Sequence, residues 1–388
     1  MTGRSSTASI EAGGFHLEKT EPGPLASSRP HYSPRRGLSV PAITVLDDKG
    51  RVIEEEQRNL FRYIAQKGRG ADIVFGSGTT GEWNRIDNTE RQRLICMETD
   101  EIARINRQQG GREPIEAWVG VTGRTARETL SNLECALEAG ADAAVVAPLS
   151  ISDSTDIVAF FQRDVSDLFD HRGSWLPVFL YDNADIAADP RVPHMRTRDV
   201  KRLSRLQFIF GVKVSASRRV LGNYTKGAAH FKDKGEFGIY VGNAMLMFQV
   251  FRLEDGMLGR LREYWNRYLL HNELPIGVVP GPANVLPREW QRAWRACYAG
   301  DERLMAIYKS AFDEFSAACR FSTAGRQVKK SIACFKHALK LDGVIGSDIV
   351  AKGTPSLEEP ERVHFAARYR KIKAHLAEAT DPVWISRA

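Results

Sequence analysis

From about residue 38 the chain switches between two periods. Short runs rich in β-branched and aromatic residues occur at SVPAITVL (39–46), ADIVFGSG (71–78), IEAWVGVT (115–122) and DAAVVAPL (142–149). They recur at LPVFLYDN (176–183), LQFIFGVKVS (206–215), FGIYVGN (237–243) and PIGVVPGPAN (275–284). Most are continuous apolar runs rather than strict alternations, as expected of strands covered on both faces. Between them, apolar positions fall at helical spacing over 54–68, 88–108, 126–139, 154–170, 195–205, 218–230 and 244–270. In one of these, Leu130, Leu133, Ala136 and Leu137 share a face, and Gly140 is placed to stop the helix. Eight strands alternating with helices predict an α/β fold, a (β/α)8 TIM barrel over residues 38–287. A doubly wound open sheet is the runner-up, and the count of eight favours the barrel.

The pattern changes at both ends. Residues 1–37 are rich in Ser, Gly, Pro and Arg and have no period, which predicts a flexible N-terminal arm. After about residue 288 no further strand is predicted. REWQRAWRACYAG, DERLMAIYKSAFDEFSAAC, QVKKSIACFKHALKLDG and EEPERVHFAARYRKIKAHLAEA read as successive helices, a C-terminal helical domain over 288–388.

Composition narrows the class. Of the 388 residues 43% are apolar and 27% charged, which suits a soluble globular protein with a sizeable core. No apolar run is long enough to cross a bilayer, and the first residues lack the apolar stretch of a secretory signal, so a cytoplasmic protein without a membrane partner is expected. The five cysteines are widely spaced with no zinc-ligand pairing, which predicts free thiols, buried or half-buried, and no metal site. The net charge of +7 is spread over many helices, and no nucleic-acid-binding signature accompanies it. No nucleic-acid partner is expected; a basic balance also serves an enzyme that binds anions.

In a closed βα barrel, chemistry gathers at the C-terminal ends of the strands. Three strand ends carry candidate groups. Lys213 lies in FIFGVKVS, where alternation puts Ile209, Gly211 and Lys213 on one face and Phe208, Phe210, Val212 and Val214 on the other. The face with Gly211 suits the barrel interior, and a lysine buried there tends toward the neutral, nucleophilic amine. The plainer reading is a lysine that reaches the rim or pairs with a carboxylate. Tyr181 ends LPVFLYDN, where a phenol can relay protons; equally it can be an ordinary half-buried tyrosine. The loop Gly76-Ser-Gly-Thr-Thr-Gly-Glu82 offers hydroxyls and N–H groups to an anion, or is a glycine-rich turn with capping threonines. It is no P-loop, since no Gly-Lys-Ser/Thr follows, and Glu82 stands where a dinucleotide fingerprint needs its third glycine. A nucleotide-dependent oxidoreductase is therefore a poor fit.

Together these pieces resemble the dihydrodipicolinate synthase and N-acetylneuraminate lyase family of class I aldolases. GTTGEWNRIDNTERQRLI (78–95) resembles the GTTGE loop and following helix of that family. VGVTGRTARETLSNLECALEAGADAAVVAPL (119–149) is similar to its third and fourth βα stretch, LPVFLYDN carries its tyrosine position and FGVKVSAS its lysine position. GVVPGPANVLP (277–287) resembles the segment around the eighth strand, and KHALKLDG with the final helices its C-terminal domain. The resemblance implies an imine between Lys213 and the ketone carbon of a 2-oxo acid, with no cofactor. It implies proton transfer by Tyr181, a hydrogen bond from Thr79 to that tyrosine or the substrate, and a carboxylate held by Thr80. It implies backbone groups offered by Gly242 and Val279, and a homo-oligomer, either a dimer or a tetramer built from dimers.

The departures define the expected function. Where the family has a proline three residues after the tyrosine, this chain has Ala184; where the synthases have an arginine five residues after it, this chain has Ile186. Their Pro-Tyr-Tyr at the end of the fourth strand, whose second tyrosine reaches a neighbouring subunit's site, is here Pro148-Leu149-Ser150. A class I lyase of pyruvate-type 2-oxo acids is expected, working by aldol cleavage, condensation or dehydration and distinct from authentic dihydrodipicolinate synthase. The alternative is a catalytically idle barrel that binds an oxo acid or serves as a scaffold.

Overall fold

The computed structural model describes residues 32–379 apart from 111, 232–236, 252–260, 262–273 and 324. The expected arm up to residue 31 and most of the expected helix 244–270 lie outside the described residues.

Eight parallel strands hydrogen-bond in chain order and close on themselves. They are β1 (Gly37–Pro41), β2 (Ile73–Gly76), β3 (Glu116–Gly120), β4 (Ala143–Val146), β5 (Val178–Asn183), β6 (Ile209–Ser215), β7 (Gly238–Val241) and β8 (Gly277–Val278). Pairing of Gly37 with Gly277 and of Leu38 with Val278 completes the ring. The eighth strand is far shorter than its apolar run, because Pro280 and Pro282 lack the N–H a ladder needs and the chain turns into a 3-10 segment at Gly281–Asn284.

The barrel helices follow the predicted pattern: α1 (Glu54–Ala65), α2 (Asn88–Gln108), α3 (Ala126–Ala139), α4 (Ile157–Ala159), α5 (Ser166–Arg172), α6 (Thr197–Leu203), α7 (Arg218–Gly227) and α8 (Met247–Val250). A π-helical stretch, Phe160–Val165, joins α4 to α5. Their ends are chemically specified. The Asp87 carboxylate accepts from Thr89 N–H at the start of α2, the Thr125 hydroxyl accepts from Glu128 N–H at the start of α3, and Gly140 ends α3 at φ +74°.

Inside the barrel, Ile73, Phe75, Trp118, Val145, Phe179, Tyr181, Phe210 and Tyr240 form one cluster. Trp118 stacks on Phe179 at 3.9 Å, and Tyr240 meets both rings edge-on. At the other end Tyr32 sits edge-on to Phe210 at 5.0 Å and donates to Glu116 at 3.0 Å. The N-terminal end is thereby filled with rings.

Strict alternation along β6 fails at one point. Phe210 belongs to the interior cluster and Ile209 to the outer core, the reverse of the expected parity. The pairing of β5 with β6 slips between Val178 and Phe179, so that Val178 faces Ile209 but Phe179 faces Gly211. Phe210 is the extra residue of a bulge, and a bulge resets the period of two. Beyond it Gly211 and Lys213 point inward as expected. A Cβ on Gly211 would lie 2.4 Å from the Gly238 carbonyl oxygen and 2.7 Å from the Phe179 ring, so only glycine fits there.

After the barrel come α9 (Pro287–Ala299), α10 (Glu302–Ala318), α11 (Ser331–Leu341) and α12 (Glu359–Ala379). Between α10 and α11 lies an antiparallel hairpin, β9 (Arg320–Thr323) and β10 (Arg326–Lys329), where only helix was expected. Each strand has four residues and one apolar member. Phe321 pairs with Val328, and Gly325 turns the chain at φ +74°. So short a period is lost between two long helical ones. All five cysteines are free, and Cys96 is exposed rather than buried, its sulfur 4.0 Å from that of Cys135.

Candidate active site

The loop after β2 is shaped by a buried acid. Glu98 of α2 accepts from Gly76 N–H at 2.9 Å, and burial pushes its carboxyl well above the usual carboxylate range. A Cβ on Gly76 would fall 1.8 Å from that carboxyl oxygen. Beyond it, Ser77 and Glu82 both take positive φ, at +53° and +60°. Glu82 is fully buried and accepts from Lys336 Nζ at 2.6 Å and from Ala351 N–H at 2.8 Å. The residue that spoils the dinucleotide fingerprint thus ties the loop to the C-terminal helical domain.

Held this way, Thr79 and Thr80 face the end of β5. The Thr79 hydroxyl is 3.2 Å from the Tyr181 hydroxyl. Tyr181 and Lys213 are direct cross-strand partners on β5 and β6, and so are Asn183 and Ser215 two residues on. With a period of two, all four side chains share the interior face. Asn183 Nδ2 donates to the Tyr181 oxygen at 3.0 Å, and the Ser215 hydroxyl donates to it at 3.3 Å. These two partners were absent from the sequence reading. The signal for them was present, since each stands two positions after a chosen residue on the same strand.

Lys213 is 5% exposed, with Nζ 3.7 Å from the centre of the Tyr181 ring and 4.8 Å from that of Phe75. No carboxylate is paired with it among the described residues. Burial pushes the Lys213 amine below its ordinary value, and the neighbouring Tyr181 offsets only part of that. Burial would raise the Tyr181 phenol, but the Lys213 charge and the hydrogen bonds from Ser215, Thr79 and Lys213 outweigh it and bring it down. Each group thus favours the charged form of the other.

Above them opens a cavity of about 470 Å³. Thr79, Thr80, Tyr181, Lys213, Gly242 and Val279 all line it, so the structure brings every predicted site residue to one place. The Thr80 hydroxyl has no hydrogen-bond partner among the described residues. Gly242 N–H donates to Val214 and Val279 N–H to Val241, so only their carbonyl oxygens are left to offer. A Cβ on Gly242 would lie 2.0 Å from the Ser215 hydroxyl oxygen, and glycine there keeps Ser215 against Tyr181. Ser150 does not line the cavity, and its hydroxyl is buried without a partner among the described residues. Ile186 packs against the interior cluster. Asp182, which follows Tyr181, faces away and ties down the long loop after β5: its carboxylate meets Met195 N–H at 3.1 Å, and His194 and the Tyr224 hydroxyl at 3.0 Å.

Residues 34–254 match the dihydrodipicolinate synthetase family. The chain belongs to that family. Among curated members, 4-hydroxy-tetrahydrodipicolinate synthase of Porphyromonas gingivalis is 34% identical over 114 residues, 29% of this chain and 35% of that protein. The enzyme of the same name from Thioalkalivibrio sulfidiphilus is 30% identical over 110 residues, 28% of this chain and 34% of that protein. Each match thus spans only about a third of the curated relative. Solved structures extend the likeness at the level of fold. Dihydrodipicolinate synthase from Bacteroides thetaiotaomicron superposes with a TM-score of 0.67 at 22% identity, covering 88% of this chain and 99% of that one. YagE, a prophage protein of the dihydrodipicolinic acid synthase family from E. coli K12 solved in complex with pyruvate, superposes at 0.65 and 19% identity, covering 87% and 98%. No described helix is long and apolar enough to cross a membrane.

Proposed function

We propose that this member of the dihydrodipicolinate synthetase family is a class I lyase in which Lys213 forms a Schiff base with a pyruvate-type 2-oxo acid. One observation carries the reading. A buried lysine without a carboxylate partner lies over a tyrosine whose hydroxyl is within hydrogen-bonding reach of Thr79, Asn183 and Ser215, beneath a cavity of about 470 Å³.

The neutral Lys213 amine attacks the ketone carbon; the oxygen takes one proton from the attacking nitrogen and one from Tyr181, and leaves as water. The nitrogen retains one proton, and the resulting iminium draws in the electron pair of the neighbouring carbon when a C–C bond breaks or a proton is lost. Thr80 and the loop backbone hold the carboxylate, and the Val279 and Gly242 carbonyls accept from donors on the substrate. Aldol cleavage, aldol condensation and dehydration all use this sink.

The reaction differs from that of the curated synthases in its second partner. Ile186 offers no charge where those enzymes carry arginine, and Ser150 replaces the tyrosine lent between subunits. In this chain Asn183 and Ser215 bond the catalytic phenol from within the same subunit, so the proton path does not depend on a neighbour. We place the protein in a homo-oligomer, as its family resemblance implies. Incubation with pyruvate and borohydride tests the proposal: the protein should gain one reduced pyruvate adduct per chain, and Lys213→Ala should gain none. A folded wild-type protein that stays unlabelled would refute it.

A further inference from the structure

Among the described residues, three charged side chains line the cavity: Lys213, Asp185 and Lys329. Lys213 is the nucleophile. Asp185 follows β5, next to Ile186, and gives that rim a negative charge. Lys329 comes from the hairpin of the C-terminal helical domain and has neither an ion pair nor a hydrogen bond among the described residues. Its neighbour Lys330, the residue before α11, is buried and is held by both carboxylate oxygens of Glu361 at 2.7 and 2.8 Å. Two adjacent lysines, one ending β10 and one just before α11, therefore have opposite fates: Lys330 is a strut, and Lys329 is a cation at the cavity without an ion pair among the described residues.

The cavity lining contributed by the C-terminal helical domain is largely apolar, with Trp290, Phe312, Phe315, Ile332 and Phe335 beside Ser316 and Ser331. An ideal Cβ on Gly281 would be 3.5 Å from the Thr80 hydroxyl and 3.1 Å from the Phe335 ring, so Phe335 adjoins the carboxylate loop. Phe335 stacks with Phe315 at 6.0 Å. Ser331, one turn before Phe335 on α11 and about 6 Å from it, lines the cavity beside Lys329. A ligand seated on Lys213 and Thr80 thus shares its cavity with aromatic surface and with Lys329.

We infer that Lys329 recognises an anionic group, a carboxylate above all, at the far end of the substrate, separated from the 2-oxo acid by an apolar spacer. The subsite rests on the Schiff-base reading of the same cavity and specifies the partner that reading leaves open. Ile186 leaves no cation at that place after β5, and Lys329 brings one to the cavity from the C-terminal helical domain instead. Asp185 disfavours an anion beside Ile186, and Lys329 attracts one. The contact is at an exposed lysine, so its strength falls as salt rises.

Borohydride trapping on Lys213 measures the subsite without any need for turnover. The half-saturating concentration for labelling is compared between a 2-oxo acid with a terminal carboxylate, 2-oxoadipate, and its uncharged counterpart, 2-oxohexanoate. The wild-type protein should favour the dicarboxylate by about tenfold. Lys329→Gln should abolish that preference while leaving labelling by pyruvate unchanged, and Lys329→Arg should keep it. Equal half-saturation in the wild type, or a preference that survives Lys329→Gln, would overturn the subsite and leave the Schiff base standing. Failure of pyruvate itself to label the wild type would overturn both.

Discussion

Of the three lysines buried among the described residues, Lys336 and Lys213 are opposites. Lys336, on α11, is fully enclosed and bonded to the Glu82 carboxylate at 2.6 Å and the Ile349 carbonyl at 2.7 Å. Lys213, on β6, is nearly as well hidden but lies against the rings of Tyr181 and Phe75, with no carboxylate paired to it among the described residues. Burial lowers both amines below the ordinary lysine value; Glu82 opposes that effect at Lys336, and only Tyr181 opposes it at Lys213. Burial alone therefore does not make a lysine reactive. The partner decides: a carboxylate makes a strut between barrel loop and helical domain, and its absence leaves an amine free to attack a carbonyl.

The contrast breaks most visibly in stability. Lys336→Met leaves the Glu82 carboxylate buried and unpaired and should cost about 3–5 kcal/mol in denaturant unfolding. Replacing both partners with Glu82→Gln and Lys336→Met should recover much of that. Lys213→Met should act in the other direction, raising stability at neutral pH by about 1–4 kcal/mol while ending labelling by oxo acids. The folded chain holds the Lys213 proton less tightly than the unfolded chain, so unfolding takes up a proton between the lowered value and 10.5. The penalty is full below that window and disappears as pH rises through it, and the gain from Lys213→Met should shrink in step. A loss of stability in Lys213→Met at neutral pH would contradict the picture of an uncompensated amine.

Smaller effects probe the cradle around Tyr181. Asn183→Ala and Ser215→Ala should each slow labelling about two- to tenfold, as expected for one hydrogen bond. Both should leave the unfolding midpoint nearly unchanged. If neither alters the rate or its pH profile, the two residues only fill space.

The sequence carried the barrel because fully covered strands leave unmistakable apolar runs, and the helices between them are capped by residues such as Asp87, Thr125 and Gly140. Lys213, Tyr181 and Thr79 were legible because strand ends are where such barrels place chemistry. What was lost depended on pairing between strands. The bulge that turns Phe210 inward exists only in the register of β5 against β6. The hairpin that carries Lys329 has two strands too short to show a period. The Glu82–Lys336 pair joins residues 254 positions apart, and nothing local marks it.

Pyruvate and borohydride, applied across a pH series and followed by peptide mapping, set Lys213 and Lys336 against each other in one sample. The account predicts a reduced adduct on the Lys213 peptide and none on the Lys336 peptide, with a labelling rate that rises with pH to a half-point below 10.5. Labelling absent from Lys213, or labelling shared with Lys336, would contradict it.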